Sequence, residues 1–227
     1  MAQAYPEDST NRLFILGVIH RDDRGAELLN GWLSSIMPEV ITLEFSNYGL
    51  LFRKERGMEY KRRLQEVLDK IRADNEPCNE DGLSQLFAYI NMPYEYEVAS
   101  MYAEEHNALL HLIDMDSFSY LKLQEIDELF EENNIRQILY REAGTGGSNE
   151  KVAARLFFEE GIKVFPYTDE MHIRDKYVSS RISALMEHHK HKRFLHICGW
   201  QHLQDPYGLY ARFNPGKAFF YDKTFCL

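Results

Sequence analysis

The chain has 227 residues and a formal net charge of −10, from 26 basic and 36 acidic side chains with histidine neutral. That balance argues against general nucleic-acid binding, which needs a broad basic face to displace counterions. The 44% hydrophobic and 27% charged fractions exclude wholesale disorder and fit a single globular domain over residues 1–227 that buries its core without disulfides or structural metals.

In chain order, the first residues carry no basic start and no apolar stretch of signal-peptide length, and no later run approaches the ~20 apolar residues that span a bilayer. A reducing, cytoplasmic setting away from membranes is the expectation. Cys78, Cys198 and Cys226 lack C-x-x-C spacing, which suggests neither a disulfide framework nor a zinc ribbon. Short apolar runs at 13–19, 40–45, 109–113, 162–165, 194–198 and 218–221 read as six buried strands. Most are continuous rather than alternating, as in parallel strands covered on both faces.

Helical periods separate these runs. Leu28, Leu29, Trp32, Leu33 and Ile36 recur at three- and four-residue spacing, and Pro38 stops that helix. Tyr60, Leu64, Val67, Leu68 and Ile71 form a second stripe, and Val178, Ile182 and Leu185 a third. The expected fold is α/β: a central mixed or mostly parallel sheet of about six strands flanked by helices. A helical insertion over about 49–105 follows the second strand, broken by the turn formers of residues 75–82.

The chemistry concentrates at strand ends. Gly17-Val-Ile-His20 and Gly199-Trp-Gln-His202 each carry an apolar strand into G-x-x-H. The bare pattern is weak. Its placement matters more, because ligands of open α/β sheets bind beyond the carboxyl ends of the strands, where glycine lets the backbone approach closely. Glu44 ends the second strand, where a carboxylate is costly to desolvate unless it is paired, metal-bound or chemically employed. Arg174 lies four residues before Val178 on the apolar stripe of its helix, so its guanidinium must snorkel or meet an anion; Arg181 shares much of this pattern.

These stretches, in this order, resemble the TraB/Tiki families, which form a wider superfamily with the erythromycin esterases and ChaN-like proteins. The resemblance runs from residue 13 to about 205. It includes Leu43-Glu44, Leu112-Ile-Asp-Met-Asp116, the arginine-led Ile173-Arg174-Asp175 and Leu203 after the second motif. Trp200 and Gln201 fill that motif where small residues are more usual. The resemblance implies a hydrolase-like site built from His20, Glu44, Arg174 and His202, acting on an ester or amide bond of a small-molecule or peptide substrate.

Two forms of this site stay open. In one, His20, Glu44 and His202 hold a divalent ion (Mn, Co or Zn) with a position left for water. In the other there is no cofactor: a histidine deprotonates water and an arginine stabilises the oxyanion. The alternative function is a non-catalytic small-ligand (haem-like) binding or regulatory protein of the same fold.

Weaker features read more simply. The glycine-rich residues 144–149 lack a P-loop pattern and suit a capped loop. The His-Lys-Arg cluster at 188–193 suits a solvated helix end, and the basic group around Arg53, Arg56, Arg62 and Arg63 a solvated helix face. His106 and His111 flank the third strand, where a structural role outweighs entry into a metal set, and Asp114 and Asp116 end it, where either could pair with Arg174. No G-x-S-x-G or H-E-x-x-H stretch occurs, which disfavours a serine α/β-hydrolase and a zincin-type protease.

Overall fold

A computed structural model describes residues 11–74, 80–140, 146–163 and 165–222. The break expected at 75–82 falls largely outside these residues, as do Cys78 and Cys226; of the loop expected at 144–149, residues 146–149 instead form the first turn of α8 (Gly146–Glu160). The fold is α/β, with one five-stranded sheet that is parallel throughout. Its strands are β1 (Leu13–Val18), β2 (Val40–Leu43), β3 (Leu109–Leu112), β4 (Phe194–Gly199) and β5 (Gly216–Phe219), in the spatial order β3-β2-β4-β1-β5. The last-but-one strand in sequence therefore lies between the first two.

Five of the six expected strands form. Residues 162, 163 and 165 are not in a strand. The preceding helix ends with Gly161 at φ 69°, and the Gly161 and Ile162 N–H groups close on the Phe157 and Leu156 carbonyls. That C-terminal cap uses Ile162, 51% exposed, to end the helix rather than to extend the sheet.

The chain divides into two compact units. The first holds the sheet, residues 94–115 and the chain from 153 onward. β2 and β4 are buried along their whole length and β1 at every residue but the half-buried Phe14, as expected of parallel strands covered on both faces. On one face α1 (Gly25–Ile36) packs Leu28, Leu29, Trp32, Leu33 and Ile36, and the helix ends as expected at Met37, in the left-handed region before Pro38. α4 (Tyr94–His106) contributes Ala99 and Tyr102 to the same cluster. On the other face α9 (Asp169–His188) presents Val178 and Ile182 to Leu13, Ile15, Val40 and Phe194. Thr168 caps the start of α9 by accepting the Met171 N–H.

The second unit comprises residues 46–93 and 116–152 and is helical among the described residues. The helical segment expected over 49–105 thus divides, with α4 in the sheet unit. Within the second unit α2 (Asn47–Ala73) buries Tyr60, Leu64, Val67, Leu68 and Ile71, the stripe read from the sequence. α3 (Glu80–Ile90) and, after the short helices α5 (Asp116–Leu123) and α6 (Ile126–Leu129), α7 (Glu132–Tyr140) complete that core through Leu86, Ile90, Ile135 and Leu139. Among the described residues no helix is long and apolar enough to cross a membrane.

A parallel sheet aligns all its carboxyl ends on one edge, so the continuations of β1, β2 and β4 emerge side by side. Gly17 permits the close approach of the turn after β4: a Cβ there would overlap Leu203 Cδ1 and stand 2.9 Å from Trp200 Cα. Gly31, inside α1, has nothing within 4 Å of the same position. Gly17→Ala is therefore expected to destabilise the protein by about 1–3 kcal/mol, and Gly31→Ala to stabilise it by about 0.5–1 kcal/mol. Equilibrium urea unfolding of the two variants measures both signs.

Candidate active site

Residues 20, 44 and 202 meet around Gly199. β4 lies between β1 and β2, which sets the second G-x-x-H motif between the first and Glu44. The Gly199 N–H donates to Glu44 Oε2 at 2.8 Å. A Cβ on Gly199 would stand 2.9 Å from His20 Nε2 and 3.7 Å from His202 Cδ2. The glycine of the second motif is thus the floor over which both imidazoles close, and no larger residue leaves His20 its place.

The Glu44 carboxylate is almost fully buried and fully engaged. Its Oε1 accepts from Arg174 Nη2 at 2.5 Å and lies 3.0 Å from His202 Nε2. Arg174 also grips Asp114 through Nε and Nη2, at 3.1 and 2.8 Å, which selects Asp114 of the two aspartates that the sequence left open. Burial alone would raise the Glu44 pKa, but the charges of His202, Arg174 and His20 hold it well below the usual carboxylate range. Burial opposes the charge on Arg174 as well, and Glu44 and Asp114 outweigh it.

His202 sits in the short 3-10 turn that directly follows β4. Its Nδ1 is 2.6 Å from Asp175 Oδ1, so the ring lies between two carboxylates. Burial disfavours its charged form, yet Glu44 and Asp175 together push its pKa up to about 10. At neutral pH it is an imidazolium that donates from both nitrogens. Asp175 is itself fixed by the hydroxyls of Tyr167 and Tyr210, at 2.5 and 2.9 Å.

His20 differs. Its Nδ1 is 2.7 Å from Glu95 Oε1, and its side chain is half exposed (49%) while that of Glu95 is buried (4%). Of the two histidines it is the one open to solvent.

Four functional candidates of the sequence reading, His20, Glu44, Arg174 and His202, therefore come together, with Asp114. The others do not join them. Asp116 receives the Tyr48 backbone N–H in the second unit. His106 stacks on Tyr102 at 4.1 Å within its own helix. His111 lies 6.2 Å from the His189 ring at the outer strand β3, and Arg181 and His188 are exposed. Glu95, Tyr167 and Tyr210 escaped the sequence reading, and Asp175 entered it only within the arginine-led stretch, with no role of its own. Asp175 follows Arg174 directly and points to the buried side of α9, a signal that helical periodicity contained; Glu95 had none beyond its place in the first turn of a helix.

Metal-ligating histidines usually have the second ring nitrogen held by a carboxylate or carbonyl, and both imidazoles here meet that condition. Most of the lone pairs that a divalent ion would need from Glu44 and His202 are nevertheless committed. Glu44 gives Oε1 to a guanidinium and an imidazolium and Oε2 to a backbone N–H, and His202 has a carboxylate at each nitrogen. Among the described residues no three His, Cys, Asp or Glu side chains are grouped to hold an ion. As arranged, His20, Glu44 and His202 do not fit a divalent cation.

No family model, curated protein or solved structure matches this chain.

One more histidine lies beneath the site. His196 on β4 is fully buried, with Nδ1 against Thr42 and Nε2 without a partner. Burial drives its pKa down to about 4. The neutral ring is favoured by the fold, so this contribution to stability is whole above pH 6.5 and lost as pH falls towards 4, on the order of 3 kcal/mol in all. His202 has the opposite sign: its contribution is whole below pH 6.5 and lost as pH rises towards 10. His196→Leu should flatten the acid limb of the stability–pH curve and His202→Gln the alkaline limb, as read from denaturant midpoints at pH 4.5–9.5.

Proposed function

We propose that the chain is a hydrolase that uses His20 to activate water against an ester or amide bond. The observation that supports this reading is the meeting of two unlike histidines over Gly199. One is half exposed with its Nε2 against the glycine; the other is a buried imidazolium. A neutral imidazole accepts the proton of a water as its oxygen attacks the carbonyl carbon, and returns it to the leaving group. The carbonyl oxygen then gains negative charge, which needs preorganised positive charge nearby. His202 and Arg174 supply it, each held by carboxylates that cost no reorganisation during the reaction.

Glu44 acts as the anchor of these two cations rather than as a nucleophile. The order of G-x-x-H, Glu, an arginine-led helix and G-x-x-H is also the basis of the resemblance to the TraB/Tiki and erythromycin esterase superfamily, which is consistent with this chemistry. The metal-free form is favoured because the Glu44 oxygens are already occupied.

Assays on a panel of aryl esters, alkyl esters and aryl amides test this. His20→Ala is expected to lower kcat/KM by about 100-fold or more for any member hydrolysed, and Glu44→Ala to lower it comparably. Excess chelator should leave the rate unchanged, with circular dichroism confirming that each variant is folded. Full activity in both variants overturns the proposal, and loss of activity on chelation overturns its metal-free form.

A further inference from the structure

The carboxylate behind His20 comes from a place no strand-end motif marks. Glu95 lies in the first turn of α4, where the helix dipole favours a negative charge. Its neighbour Tyr94 donates its hydroxyl to the Ile19 carbonyl at 3.0 Å, the residue immediately before His20. The Tyr94 ring occupies the space beside Gly25, where a Cβ would overlap it. Two consecutive residues of α4 thus grip the end of β1, one by its backbone and one by the His20 ring. The chain leaves this grip at Arg21 with φ 62°, a conformation that costs a non-glycine residue about 1 kcal/mol and persists only where surroundings enforce it.

A pair serving stability alone gains little from this arrangement. Glu95 gives up its hydration to meet an imidazole that is itself half in solvent, and an exposed partner compensates a buried charge poorly. The geometry instead controls the ring. A carboxylate can only accept, so at 2.7 Å from Nδ1 it requires the ring proton on that nitrogen. Nε2 then carries the ring's lone pair and faces Gly199.

We infer that Glu95 is the positioning residue of His20, holding it in the Nδ1–H tautomer and fixed in rotation so that Nε2, beside Gly199, is the basic atom of the ring. This rests on the reading of His20 as the base. Glu95 touches no substrate; it acts through the ring.

The test is made on the full chain with 15N-labelled histidine, using two-bond proton–nitrogen correlations that distinguish the two tautomers. The His20 signals are assigned by their loss in His20→Ala. The wild-type protein, at a pH where the ring is neutral, is expected to show His20 protonated at Nδ1. Glu95→Gln should move the proton to Nε2, because the carboxamide N–H can donate to Nδ1, while Glu95→Asp keeps the original form. For any substrate hydrolysed through His20, Glu95→Gln should lower kcat by about 100-fold, with KM within about threefold of wild type and partial recovery in Glu95→Asp. A wild-type His20 protonated at Nε2 overturns the proposal without recourse to any variant. So does a tautomer that Glu95→Gln leaves unchanged, or one that changes with no loss of kcat. If no substrate is hydrolysed, the hydrolase reading fails and the tautomer measurement still decides the role of Glu95.

Discussion

A carboxylate buried where three parallel strands end imposes most of what surrounds it. Glu44 has left water, and an ionised carboxyl in that position is tolerated only if its oxygens are filled. The Gly199 N–H, the Arg174 guanidinium and the His202 ring fill them. Each of the side-chain partners is a cation that needs compensation in turn, which Asp114 gives to Arg174 and Asp175 to His202. Two tyrosine hydroxyls then complete Asp175. The result is a charge network passing from the end of β3 to the 3-10 turn after β4, in which every member is held by the next.

The two motif histidines look alike in sequence and differ in physics. His202 is enclosed between two carboxylates and stays protonated, so its contribution is fixed positive charge. His20 has the Glu95 carboxylate at Nδ1 and half of its side chain in solvent. Their difference follows from position: the turn after β4 lies in the middle of the sheet under α9, whereas β1 ends beneath the start of α4. A symmetric pattern thus yields an asymmetric pair, which is what acid–base chemistry at one centre requires.

Much of this was legible in the residues. Continuous apolar runs identified the five strands because buried parallel strands leave few polar positions. The strand-end rule picked out His20, Glu44 and His202, and the anomaly of an arginine on an apolar stripe found Arg174. What stayed hidden has a physical reason. Residues 162–165 are as apolar as a strand, yet Gly161 commits Ile162 to a helix cap. Glu95 carries no local signature, since a carboxylate in a first helical turn is ordinary and its partner is 75 residues away. That β4 enters between β1 and β2 depends on topology, which no local pattern encodes.

That entry has a consequence for how the protein is made. β1 and β2 emerge early from synthesis and are never neighbours; the space between them belongs to a strand whose first residue is Phe194. Until that strand arrives, β1 and β2 must either wait with their central edges unpaired or pair with each other and be pulled apart later. Contacts this distant in sequence are slow to form, and exposed apolar edges are the usual starting point for aggregation. The site and the sheet therefore close in the same step, and neither exists before β4 is in place between β1 and β2.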